Sequence, residues 1–249
     1  MKVIFLSAGQ GFRMMPLTKN TPKPLLDVGN GLTIIESQLN SIVECGGIDE
    51  VIFVVGYRAE QIEAKLKSYS KVPVRFIYNP FYDMSNNLIS LWLTCCEMEE
   101  DFIVINGDDI FKANVLQELL KQSSDKNIVM VMDRKKSYEM EDMKVVIKKD
   151  QVVRVSKEIP AAEANGESIG MFRFTGCGKK YLKGTLNAMV RDEKSRNIFY
   201  LAAIQKMIDE GRGVYYMECQ ESDWAEVDFH PDLNLVRTNM MRYDFFSDQ

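Results

Sequence analysis

Residues 6–26 read LSAGQGFRMMPLTKNTPKPLL, directly after the apolar run of Val3, Ile4 and Phe5. An uninterrupted apolar run that ends in Leu6 predicts a strand buried on both faces, the kind a parallel sheet uses. The chain then passes through Gly9 and Gly11 and brings Arg13 and Lys23 into the same loop. Glycines after a strand let backbone N–H groups approach an anion closely, and two cations can neutralise it. That combination suits a nucleoside triphosphate handled at its phosphates. The two glycines alone read equally well as a tight turn with surface cations. They are not the dinucleotide fingerprint, because Met14 stands where the third glycine belongs, and the G-x-x-x-x-G-K phosphate loop is absent.

Outward from that loop, strand and helix patterns alternate as far as residue 110. Thr33 and Glu36 form a capping-box signature ahead of a helix whose Ile35, Leu39 and Ile42 share one face, and Gly46 and Gly47 end it. The patterns predict strands over 51–55, 74–78 and 102–105, and helices over 59–67 and 87–96. The last of these would place Cys95 and Cys96 in the core. Further on, the sequence predicts a helix over 115–122, a strand over 128–132 and a hairpin of 144–148 with 152–156 across Lys149, Asp150 and Gln151. A strand over 169–174, helices over 179–192 and 198–210, a strand over 214–218 and a helix after Pro231 complete it. Strand–helix repetition of this kind specifies an α/β fold, a mostly parallel sheet with helices on both faces. With no linker, repeat or low-complexity stretch, the expectation is one domain over 1–249 with two lobes, 1–110 and 111–249.

Composition narrows the chemistry. The 249 residues are 46% hydrophobic and 27% charged, with a formal charge of −5. An acidic chain argues against a nucleic-acid surface, so its local basic loop points to a small anionic ligand. No apolar run approaches the roughly 18 residues of a membrane span, and the first is too short for a signal peptide. No membrane insertion and a cytoplasmic address are therefore expected. Five cysteines without C-x-x-C spacing suggest neither a disulfide framework nor a zinc site. The single histidine, His230, precedes Pro231 and reads as structural, near a helix start. One histidine cannot furnish a multi-histidine metal site, and it leaves little room for a Ser-His-Asp triad. The chemistry must rest on carboxylates, Lys, Arg and a hard metal ion.

The complete string around Gly9, Gly11, Arg13, Pro16, Thr18, Pro22, Lys23 and Leu25 resembles the signature of the nucleotidyltransferases that make sugar nucleotides and CDP-alcohols. Ser7 and Phe12 depart from that signature. Val55-Gly56-Tyr57, Asn106-Gly107-Asp108 and Trp224-Ala225-Glu226-Val227-Asp228 are similar to later motifs of the same family. The resemblance implies a Rossmann-like, mixed but mostly parallel sheet of the nucleotide-diphospho-sugar transferase type. A smaller acceptor lobe carrying the hairpin would complete it. It also implies a reaction: an acceptor phosphate or phosphonate oxygen attacks the nucleotide α-phosphorus, and pyrophosphate leaves.

Residue roles follow from the same resemblance. Arg13 would hold the β- and γ-phosphates, and Lys23 would bridge the acceptor oxygen and the α-phosphate. Asp108 and Asp228 would bind Mg²⁺, with Glu226 beside the ligands rather than among them. Leu6, Ala8, Gly9, Gln10, Gly11, Phe12, Asn79, Ser85 and Gly107 would contact the nucleotide. Asn87, Ser90, Lys157, Glu167, Asn197 and Trp224 would face the acceptor.

Asn86-Asn87-Leu88-Ile89-Ser90-Leu91 resembles a segment of bacterial phosphocholine and phosphonate cytidylyltransferases. It therefore favours CTP and a small anionic acceptor such as phosphocholine or 2-aminoethylphosphonate. The plainer reading is that Asn86 caps a helix and Ser90 packs one turn later. Glu158, Glu167 or Asp192 could receive an acceptor ammonium, and Trp224, Tyr200 or Phe172 could offer it an aromatic face. A sugar-1-phosphate nucleotidyltransferase, a non-catalytic nucleotide-binding regulator and a metal-dependent glycosyltransferase remain open, as does assembly as a homodimer.

Overall fold

The computed structural model describes residues 1–242; the last seven residues of the expected domain lie outside the described residues. The first part of the chain forms β1 (Lys2–Ser7), a small hairpin of β2 (Asp27–Gly29) and β3 (Leu32–Thr33), α1 (Ile34–Cys45), β4 (Glu50–Val55), α2 (Ala59–Leu66), β5 (Val74–Tyr78), α3 (Asn87–Trp92), β6 (Phe102–Asn106) and β7 (Asp109–Phe111). The rest forms α4 (Ala113–Lys121), β8 (Ile128–Asp133), β9 (Lys144–Lys148), β10 (Gln151–Ser156), β11 (Gly166–Phe174), α5 (Gly176–Met189), α6 (Leu201–Asp209), β12 (Tyr215–Glu218), β13 (Trp224–Glu226) and α7 (His230–Arg242).

Nine strands join in one mixed sheet, ordered β5-β4-β1-β6-β11-β8-β12-β10-β9. The neighbours from β5 to β6 are parallel, and β11 runs antiparallel between β6 and β8. Side chains of β1 alternate between two cores, as the pleat requires. Val3 and Phe5 pack with Ile35 and Leu39 of α1 and Leu116 and Leu119 of α4. Ile4 and Leu6 pack on the other face with Leu88 of α3, Leu182 of α5 and Ile204 of α6. Each such side chain taken out of water contributes roughly 1.5–3 kcal/mol, which is why the sheet is the rigid part of the molecule. The chain leaves β1 toward β4 on one side and returns to β6 on the other. A crevice therefore opens beyond the carboxyl ends of β1 and β6, where α/β sheets bind ligands.

Several local features differ from the sequence expectation. α5 runs Gly176–Met189 rather than 179–192, its first turn starting at Gly176 with a positive φ of 48°. α3 stops at Trp92, because both the backbone N–H and the hydroxyl of Thr94 bond the Leu91 carbonyl, at 3.1 and 2.7 Å, and tighten the turn. Cys96 is then exposed and not a core thiol, while Cys95 is half-buried and packs against the core from its edge. α6 starts at Leu201 rather than at 198, since the Tyr200 N–H is held by Asn87 Oδ1 at 2.8 Å. β11 begins at Gly166, because Gly166 and Glu167 pair with Val145 and Lys144 of the β9–β10 hairpin.

A third, smaller core lies over the crevice. Met14 from the glycine loop, Ile110 from β7 and Val227, Leu233 and Val236 around α7 pack together there. β7 pairs antiparallel with β13, so segments near residues 110 and 225 become neighbours. At the floor, the Gly107 N–H bonds the Leu6 carbonyl at 3.0 Å, and a Cβ on Gly107 would lie 2.6 Å from that oxygen. Gly107→Ala should therefore push β1 and β6 apart at the crevice and destabilise the fold by about 1–3 kcal/mol, read as a lower urea midpoint with an unchanged slope.

Candidate active site

Lys23 opens a short 3-10 turn, Lys23–Leu25, after the extended residue Pro22. The loop that carries it is pinned at several points. Thr18 Oγ1 donates to the Gly11 carbonyl at 2.8 Å, and the Tyr57 hydroxyl donates to the Lys19 carbonyl at 2.7 Å. The Tyr57 N–H bonds the Ala8 carbonyl at 3.0 Å, so the segment after β4 braces the glycine loop. Asp108 lies in the short turn between β6 and β7, while Asp228 lies between β13 and α7. The N–H groups of Asp228 and Phe229 both donate to Asp232 Oδ2, at 3.0 and 2.6 Å. This is the reach-back half of a capping box, and it fixes the backbone that carries the Asp228 carboxylate.

These segments meet in one charged cluster. Lys23 Nζ lies 2.7 Å from Asp108 Oδ2 and 3.1 Å from Asp228 Oδ1. Arg13 Nη2 takes the other oxygen of Asp228 at 2.7 Å, and its guanidinium stands 5.2 Å over the Phe229 ring. Burial by itself would lower the Lys23 ammonium, but Asp108 and Asp228 outweigh it and hold its pKa above the ordinary lysine value. Carboxylate oxygens of Asp108, Glu226 and Asp228 all lie within 4.8 Å of one another. Glu226 is exposed on the cleft side, yet desolvation by the groups crowded around its carboxyl, then the charges of Asp108 and Asp228, push it up to about 8. Asp109, fully buried next to them, is pushed well above the usual carboxylate range, first by burial and then by Asp108 and Glu226. Crowded carboxylate oxygens match the ligand preference of a hard divalent cation such as Mg²⁺.

The cluster forms the floor of a cleft of about 1290 Å³, large enough for a nucleotide and a second small molecule. Of the residues expected from sequence, Leu6, Ala8, Gly9, Gly11, Asn79, Ser85 and Gly107 line it, as do Asn87, Ser90, Lys157, Glu167 and Trp224. Asn79 Nδ2 donates to Ser90 Oγ at 3.0 Å, tying the end of β5 to α3. Asn86 does cap α3, and the Asn87 side-chain Oδ1 accepts from the Tyr200 N–H.

Three expected residues stay outside the cleft lining: Gln10, Phe12 and Asn197. Phe12 is 68% exposed, because the turn Phe12–Met14 sends Met14 into the core. Asn197 is exposed at the end of the turn Glu193–Asn197. Tyr200 and Phe172 are fully buried and meet edge-to-face at 5.8 Å, so they belong to the core and not to an aromatic cage. Glu158 and Asp192 are exposed and do not line the cleft either.

The sequence reading missed the segment after β8. Lys135 pairs with the buried Glu167 carboxylate and with Asp142 at 3.4 Å. Burial raises Glu167 to about 7 despite Lys135. Glu141 and Phe229 also line the cleft. A run of mixed charges over 134–144 reads as a solvated loop, and no spacing within it marks a site.

The chain matches the nucleotidyl transferase family over residues 2–239. It is 36% identical over 124 residues to a choline-phosphate cytidylyltransferase of Streptococcus pneumoniae; this match covers 50% of the chain and 52% of that protein, about half its length. It is 24% identical to a CTP:phosphoglutamine cytidylyltransferase of Campylobacter jejuni, over 94% of the chain and 98% of that protein. In fold it is similar to the solved CTP:phosphocholine cytidylyltransferase of S. pneumoniae, with a TM-score of 0.81 and 24% identity, covering 96% of this chain and 98% of that one. Among the described residues, no helix is long and apolar enough to cross a membrane.

The raised carboxyls have a consequence for stability. Between about pH 4.5 and pH 8 the folded protein keeps a proton on Glu226 that the unfolded chain has lost. The folded state then binds more protons, so this group makes stability fall as pH rises through that window. Melting temperatures of the metal-free protein at pH 5.5 and 8.5 should show the decline, and Glu226→Gln should flatten it. Added Mg²⁺ should restore stability chiefly at the higher pH.

Proposed function

The chain belongs to the nucleotidyl transferase family, and from that premise we propose that it transfers CMP from CTP to a small phospho- or phosphono-alcohol or amine, such as phosphocholine or 2-aminoethylphosphonate, releasing pyrophosphate. The observation that carries this reading is the meeting of Lys23 and Arg13 with the Asp108, Glu226 and Asp228 carboxylates on one cleft floor. CTP and the acceptor class are supported by the cytidylyltransferase relatives and by the Asn86–Ser90 segment, of which Asn86, Asn87 and Ser90 line the cleft.

The chemistry needs alignment more than activation. An acceptor oxygen that is already ionised attacks the α-phosphorus, the bond to the bridging oxygen breaks, and the electron pair leaves with pyrophosphate. No proton has to be removed, so cations matter more than a general base. Lys23, drawn off its carboxylates, would stand between the acceptor oxygen and the α-phosphate and reduce their repulsion. Arg13 would carry the charge that accumulates on the departing pyrophosphate. Asp108, Asp228 and Glu226 would hold Mg²⁺, which supplies additional positive charge to the phosphoryl oxygens. Phe229, under the Arg13 guanidinium, restricts where that side chain can swing.

A pyrophosphate-release screen should find turnover with CTP, not UTP, ATP or GTP, paired with phosphocholine, phosphoethanolamine or 2-aminoethylphosphonate. Product formed only with a sugar 1-phosphate would replace the acceptor assignment. Lys23→Ala should lower kcat by about a hundred- to a thousandfold, the usual effect of removing one electrostatic donor. Undiminished turnover in that variant would remove Lys23 from the catalytic role.

A further inference from the structure

One contact on the cleft rim joins the two halves of the molecule through a single atom. Glu141 Oε2 lies 3.4 Å from Arg13 Nη1 and 3.0 Å from Lys157 Nζ. Arg13 comes from the loop after β1, and Lys157 follows β10 on the acceptor side. Both cations line the cleft, and Lys157 also stands 5.1 Å over the ring of Phe199, another lining residue. The opposite end of the Arg13 guanidinium holds Asp228, so this rim position is one guanidinium width from the carboxylate cluster.

Glu141 is not placed there by chance of a loose loop. Lys144, a residue only 3% exposed, donates through its ammonium to the carbonyls of Glu139, Met140 and Asp142. The Asp142 carboxylate closes the same turn by accepting the Glu139 N–H at 2.8 Å and pairing with Lys135. A buried lysine wrapped in backbone carbonyls fixes the segment that offers Glu141 to the cleft. The Glu141 side chain itself is 59% exposed, and its partners Arg13 and Lys157 are 44% and 29% exposed. Ion pairs this open to water are weak and yield readily to a stronger ligand. Two cations converging on one oxygen suit a phosphate-type oxyanion, which carries more charge and more acceptor atoms than a carboxylate.

We propose that Glu141 is a built-in competitor, occupying between Arg13 and Lys157 a seat for a phosphate-type oxyanion of the substrates and leaving it when that anion binds. The proposal rests on the phosphate-handling cleft argued above and assigns it a rim subsite. The oxyanion comes either from the triphosphate tail or from the acceptor, since both carry the same chemistry. Glu141 also screens Arg13 from Lys157 while the cleft is open, so the two cations do not repel each other in the free protein.

Isothermal titration of inorganic pyrophosphate, phosphocholine and 2-aminoethylphosphonate into the full chain in magnesium buffer reads the seat without turnover. Glu141→Gln should bind at least one of them roughly three- to tenfold more tightly at low salt, a gain that shrinks toward none at 0.5 M salt. Lys157→Gln should weaken the same anion, and the double variant should lose most of the Glu141→Gln gain. A gain with pyrophosphate alone assigns the seat to the triphosphate tail, and a gain with the two acceptor phosphates alone assigns it to the acceptor. Unchanged or weaker binding by Glu141→Gln overturns the competitor role, as does a gain that survives intact without Lys157. Wild-type protein that turns over while Glu141→Gln binds no better defeats this inference only. Absence of anion binding and of pyrophosphate release in the wild type defeats the proposed function with it.

Discussion

Everything in the cleft depends on one ammonium group. Lys23 is 8% exposed and stands between Asp108 and Asp228, partners 85 and 205 residues away in sequence. An ammonium so far out of water is tolerated only when paired, and two acids so close together are tolerated only with a cation between them. Breaking a fully buried pair by removing one partner costs about 3–5 kcal/mol, and the opening of this cleft to water lowers that figure. The interaction is thus less a source of stability than a constraint. It obliges the glycine loop, the end of β6 and the β13–α7 junction to arrive at one place.

Backbone devices make that arrival possible. Gly107 allows β6 to end against β1 at hydrogen-bond distance, Tyr57 ties down the loop that bears Lys23, and Asp232 holds the backbone of Asp228. The small core of Met14, Ile110, Val227 and Leu233 then packs the three segments over the sheet. Each device acts on backbone or on apolar surface, so the charged groups can exchange partners without the frame moving. That separation suits a site whose cations must leave carboxylates for phosphates and return.

The parts legible in the sequence are those set by local spacing. The capping box of Thr33 and Glu36 forms as written, and the hairpin turns at Lys149 with a positive φ of 58°. Alternation of buried strands and amphipathic helices gave the α/β architecture, and motif residues at or after the ends of β1, β6 and β13 supplied the cleft floor. What stayed hidden depends on contacts between segments remote in sequence. Three residues of β7 carry no periodic signal, yet their pairing with β13 brings Glu226 into the carboxylate cluster. Tyr200 reads as an amphipathic aromatic suited to a ligand, but its hydroxyl donates to the Gly170 carbonyl at 3.2 Å inside the core. Asn197 follows the same turn that Asn86 grips through the Arg196 carbonyl, and the turn leaves it outside the cleft.

The same distinction explains why the reaction is easier to read than the substrate. Phosphoryl transfer demands particular charges at particular places, and those demands fix residue types at fixed spacing. The side of the cleft proposed to receive the acceptor is built instead from groups already paired with one another. Lys135 faces Glu167 and Asp142, and the Trp224 indole N–H donates to Asp133 Oδ2 at 3.1 Å. Under the proposed function, an acceptor that carries an ammonium would meet there a carboxylate that already has a cation, so its binding would be an exchange of partners rather than a gain of one. Specificity is then a small difference between two nearly balanced arrangements. Such a difference would turn on where Lys135 goes if it is displaced, a property of the folded wall that no short motif encodes.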